Sequence, residues 1–79
     1  IHDFAILPNP SGRSITIRSQ DKMKHVFIRS LDGKLIREVK ASKNILVVDL
    51  AELPSGCLIV VTVVPDSRAA PVSKKYFLP

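Results

Sequence analysis

The chain has 79 residues, 46% of them apolar and 24% charged, with a formal net charge of +5. That length holds one domain over residues 1–79, near the lower limit for a core built without disulfides or metal. No apolar run approaches the ~18 residues of a membrane helix, so no transmembrane segment is expected, and the single cysteine, Cys57, excludes an internal disulfide.

Nine Val and eight Ile stand against five Ala, two Glu and one Gln, and branched residues favour a pleated surface over a helix. A first strand is expected over residues 4–7, closed by Pro8-Asn9-Pro10-Ser11-Gly12, where two prolines remove backbone donors and force extended or turn geometry. Residues 14–18 alternate, with Ile15 and Ile17 on one side, and residues 20–22 form a polar turn. Strands at 24–31 and 34–40 flank Asp32-Gly33, a hairpin signal whose type I′ form needs positive φ at both central positions. A strand at 44–50 follows, then a turn ending in Pro54-Ser55-Gly56, with Gly56 suited to a left-handed conformation. Residues 57–64 are apolar on both faces but for Thr62, and residues 72–78 make a last strand. Short strands with no helix and no long crossover predict an all-β, antiparallel, immunoglobulin-like β-sandwich of about seven strands.

The two-faced strand raises a packing question. If Leu58, Val60 and Val64 face the core, then Cys57, Ile59, Val61 and Val63 form an interface stripe on the other side. Such a stripe is not left bare, so another segment, a second copy in a homodimer, or a partner protein is expected to cover it. On the last strand, Lys74 and Lys75 are adjacent and point to opposite faces. At least one therefore projects its charge beside Tyr76, Phe77 and Leu78.

Catalytic and metal constellations do not emerge. Two histidines, His2 and His25, and one cysteine make no zinc spacing or nucleophile motif, and no Gly-rich loop could cradle a phosphate. No cofactor and no enzymatic activity are expected. Asp49 and Glu52 read as solvated or turn-stabilising carboxylates, and Cys57, inside an apolar run, as a small hydrophobe. Nine of the twelve basic residues lie within 13–43. Four aromatics without a Trp offer few stacking platforms for nucleic acid, and Lys and Arg on strands also discourage edge-to-edge aggregation. No nucleic-acid partner is expected.

Four blocks carry a resemblance. Leu7-Pro8-Asn9-Pro10-Ser11-Gly12 followed by Ile15-Thr16-Ile17, the Val26-Phe27-Ile28 strand leading through Leu31-Asp32-Gly33-Lys34-Leu35-Ile36, the run Val48-Asp49-Leu50-Ala51-Glu52-Leu53-Pro54-Ser55-Gly56, and the closing Lys74-Lys75-Tyr76-Phe77 come in the order of the type A C-terminal sorting domain of the Bacteroidota type IX secretion system. The chain resembles that family over nearly all of residues 4–79. Leu7 and Leu58 stand where the family usually carries Tyr, which keeps apolar bulk and loses a hydroxyl.

The resemblance implies a secretion signal. Such a domain ends a cargo protein, is recognised in the periplasm by the type IX translocon and shuttle proteins, and carries the cargo across the outer membrane. A sortase-like cysteine peptidase then usually removes it, leaving the cargo on the cell surface or released. Recognition is expected at Lys74, Lys75, Tyr76, Phe77 and Leu78, and the family turns at Pro8, Asn9, Pro10, Asp32, Gly33, Pro54, Ser55 and Gly56. Because the chain begins with Ile1 and shows no signal peptide, it is expected to be part of a larger protein. The competing reading is a fibronectin-III-like accessory or carbohydrate-binding module of a secreted enzyme; the Leu50-to-Pro54 turn fits it, whereas the missing Trp does not.

Overall fold

The computed structural model describes residues 4–9, 14–54, 56–66 and 70–78. These form five strands: β1 (Phe4–Pro8), β2 (Ser14–Ser30), β3 (Leu35–Asp49), β4 (Leu58–Pro65) and β5 (Val72–Phe77). Every pairing is antiparallel, and the described residues contain no helix. The all-β antiparallel class is as expected. The seven-stranded immunoglobulin-like sandwich is not: five strands make one sheet that curls into a half-barrel.

The difference in number lies in β2 and β3, which are 17 and 15 residues long and each run through two of the expected strands. The polar stretch at 20–22, expected to be a turn, is a bulge. From Arg18 to Met23 in β2, the partner strand moves only from Ile45 to Lys43. Surplus residues on one strand bend it and raise its twist. The carbonyls displaced from the ladder are not orphaned, because the Asn44 amide donates to those of Ser19 and Gln20 at 3.3 and 2.8 Å.

On either side of the bend β2 has different neighbours. Before it, β2 lies between β1 and the end of β3, as in the row Ile6, Ile17, Leu46. After it, β2 lies between β4 and the start of β3, as in the row Val63, Val26, Val39, and β5 adds outside β4. The curl brings both inward faces to one core. Phe4, Ile15, Ile17 and Val48 from the first half share a buried cluster with Met23, Val26, Ile28, Ile59, Val61 and Val63 from the second.

Two local expectations change. On β4 the facing is the reverse of that expected: Ile59, Val61 and Val63 are buried, whereas Leu58, Val60 and Val64 are half-buried on the outside. Pairing sets the sense, since Val61 and Val63 lie opposite the buried Ile28 and Val26. The stripe of Ile59, Val61 and Val63 is thus covered by the chain's own strands, with half-buried Cys57 packed at its end. The β2–β3 hairpin is also not a type I′ turn, because Gly33 (φ 93°) has positive φ and Asp32 does not. The Gly33 N–H donates to the Ser30 carbonyl at 3.0 Å and the Ser30 N–H to that of Lys34 at 2.9 Å. This is the three-residue loop in which a left-handed glycine follows the turn.

Candidate functional site

The elements expected to carry recognition lie on β5 and its end. Antiparallel pairing sets Tyr76 opposite Ile59 and Lys74 opposite Val61, while Lys75 faces Val60 and Phe77 faces Leu58. Paired residues share a face, so the terminal motif divides. Lys74 and Tyr76 turn inward and are half-buried; Lys75 and Phe77 turn outward and are exposed, Phe77 by 59%. Leu78 is buried in the core. Its N–H donates to the Cys57 carbonyl, and its own carbonyl accepts the Gly56 N–H, both at 2.7 Å.

An inward ammonium needs partners. The Lys74 Nζ donates to the Phe4 carbonyl at 2.6 Å and sits 5.3 Å from the centre of the Phe4 ring. It thereby joins β5 to β1, two strands that share no ladder. This bond spans 70 positions in the chain, and no sequence signal pointed to Phe4 as its partner.

Outside, the surface around Lys75 and Phe77 continues over β4 and β2. Val60 and Thr62 lie in register with Arg29 and Phe27, and the Thr62 and Ser73 hydroxyls are hydrogen-bonded at 2.8 Å. The Arg29 guanidinium stands 5.0 Å over the Phe27 ring, with His25 stacked on the same ring at 5.8 Å. The result is an apolar strip, Leu58, Val60 and Phe77, set among Arg29 and Lys75. Phe27, His25 and Arg29 had no place in the expected site; the alternation that puts them beside Val60 becomes legible only once the β2–β4 register is known.

Among the described residues, the expected family turns lie at strand ends and in the loops between strands. Asn9 donates from Nδ2 to the Ser14 hydroxyl at 2.8 Å and accepts from that of Thr16 at 2.7 Å, binding the end of β1 to the start of β2. Pro8 ends β1 and is exposed, as is Pro54. Pro10 and Ser55 lie outside the described residues. The Asp32 carboxylate accepts the Ser30 hydroxyl and the Lys34 N–H, and these two donors, the hydroxyl foremost, hold its pKa below the usual carboxylate value. Gly56 has φ 80° with open space where a side chain would stand, so only backbone geometry demands glycine there. Asp49 accepts the Ala51 N–H at 3.0 Å in the turn after β3, and Glu52 pairs with Arg37.

Among the described residues, no group of His, Cys, Asp and Glu is arranged to hold a metal ion, and no helix is long and apolar enough to cross a membrane. No curated protein and no solved structure matches the chain. Residues 5–74 match the family model of the secretion system C-terminal sorting domain, and nothing comparable supports an accessory-module reading. With most of its length inside that match, the chain belongs to the C-terminal sorting domain family, the sorting signals of type IX secretion.

Proposed function

We propose that the type IX translocon and its shuttle proteins read this signal on the outer face of β5, through Lys75 and Phe77 together with Leu58 and Val60. Within the terminal motif, Lys74, Tyr76 and Leu78 act from inside by holding that strand in place. The observation that carries this reading is the division of five consecutive residues between a core-facing set and an exposed set. A large exposed aromatic beside a cation, backed by half-buried branched residues, has the composition of a protein contact and not of an ordinary solvated edge.

On this reading the domain is a ligand and a substrate. It passes through the periplasm as a folded unit, engages the translocon at the outer membrane, and is then cut away by a sortase-like cysteine peptidase that leaves the cargo on the surface or released. Whatever chemistry occurs belongs to the peptidase.

The test is a reporter carrying this domain in a bacterium with an active type IX system. A Lys75→Ala, Phe77→Ala variant that melts like the parent should leave the reporter in the periplasm. Surface delivery of that folded variant at the parental level would remove β5 as the recognition strand.

A further inference from the structure

The sheet has one long edge whose protection is uneven. Among the described residues, β3 pairs only with β2, so its other side is unpaired from Leu35 to Asp49. Edge strands resist pairing with other chains through charged side chains and proline. β1 ends in Pro8, β5 carries Lys74 and Lys75, and the first part of β3 carries Arg37, Glu38, Lys40 and Lys43. The segment Ile45-Leu46-Val47-Val48 carries no charge at all. Its outward residues are also the barest large branched side chains of the sheet, Ile45 at 54% and Val47 at 61% exposed, with Leu7 at 41% in the same row as Val47.

We propose that this segment is a self-association edge, at which β3 of a second copy pairs antiparallel with β3 and the two half-barrels join in one continuous sheet. What selects a second copy is that the strand complements itself. Pairing centred on Leu46 sets Ile45 opposite Val47 of the other copy and, by the two-fold symmetry, Val47 opposite its Ile45. The same register brings Lys43 against Asp49 at both ends, and both are exposed in the single chain. Shifting the register by two residues in either direction sets Asp49 against Ile45 or Ala41 and loses both charge pairs. One alignment therefore satisfies the backbone edge, covers the bare branched residues and pairs the charges. This surface lies on the opposite side of β2 from β4 and β5, so association leaves Lys75 and Phe77 open.

The test is sedimentation of the 79-residue chain over a wide concentration range, with charge variants. The parent should show a monomer–dimer equilibrium. Lys43→Glu should raise the dissociation constant about tenfold, by replacing two attractive contacts with two repulsive ones. The combined Lys43→Glu, Asp49→Lys exchange should bring it back near the parental value, which no general loss of stability would do. Because Asp49 also accepts the Ala51 N–H, Lys43→Glu is the primary variant, read on material that melts like the parent. A parent that stays monomeric at every concentration, or a dimer indifferent to Lys43→Glu, would overturn the proposal. So would an edge that binds an extended segment of another protein and never a second copy.

Discussion

Neighbouring strands β4 and β5 hydrogen-bond to each other along their length, yet they are built on opposite rules. β4 is flanked by β2 and β5 and carries only branched apolar residues, Leu and Thr62 before its final proline. β5, on the sheet's edge, alternates Val72, Lys74 and Tyr76 inward with Ser73, Lys75 and Phe77 outward. A strand with neighbours on both sides can be apolar on both faces at little risk, because its backbone is already satisfied. An edge strand needs charge to refuse further neighbours. β5 uses one lysine in each direction, one for solvent and one for β1.

The largest way to break this contrast is a charge on the inward face of β4. Val61→Asp, with no partner for its carboxylate in the core, should cost about 4 kcal/mol or more, enough to unfold a domain this small; Val60→Asp, one position along and half-exposed, should cost about 1 kcal/mol. Circular dichroism melts of the pair read the result, and similar midpoints would refute the observed facing of β4. Next comes the inward lysine. Lys74→Met keeps the apolar stem and deletes the charged donor to Phe4, an expected loss of about 1–2 kcal/mol, or a fall in midpoint on the order of 5–10 °C. Lys75→Met should stay within about 0.5 kcal/mol of the parent. Equal shifts would mean that Lys74 does not fasten β5 to β1.

The smallest effect provides a baseline away from both strands, at the β2–β3 turn. The depressed pKa of Asp32 means that its ionised form is preferred in the folded state. Its contribution is therefore present above the ordinary carboxylate range of about pH 4 and is lost as pH falls through the lower, folded value. Asp32→Asn should slightly flatten the acid side of the melting profile and leave neutral-pH export untouched. A steeper acid limb in that variant would contradict the sign.

The same contrast explains what could be read in advance. β5 was legible in part, since adjacent lysines on a strand must point in opposite directions; that Lys75 is the outward one follows only from the β4–β5 register. β4 was legible as a strand but not in its facing, because branched residues at every position give the pleat no preferred side. One sign was present: Thr62, its only hydroxyl residue, shares a parity with Leu58, Val60 and Val64 and marks the outer face. The strand number failed in β3, which runs through 41–43 without a break, and in β2, where Gln20, Asp21 and Lys22 looked like a turn. Polar residues serve a bulge as well as a turn, and what distinguishes them here is Asn44, 24 positions from Gln20. The Asp32-Gly33 loop was placed correctly and its geometry was not, since the Ser30 hydroxyl and Lys34 N–H favour an Asp32 of ordinary φ. The sorting-domain family was legible because its motifs concentrate in turns, whose residue types follow directly from backbone geometry.

β2 is hydrogen-bonded to β1, β3 and β4, and only β5 lacks a ladder with it. Losing β2 would dissolve three of the four ladders at once, so this one strand ties most of the sheet together. Among the described residues β1, β3 and β5 each pair with one neighbour, and β5 is held by its ladder with β4, by the Lys74 bond to Phe4 and by the burial of Leu78. The strand that carries the exposed lysine and phenylalanine is thus one whose removal leaves the ladders of β2 with β1, β3 and β4 in place, and a receptor that draws it out need not break them.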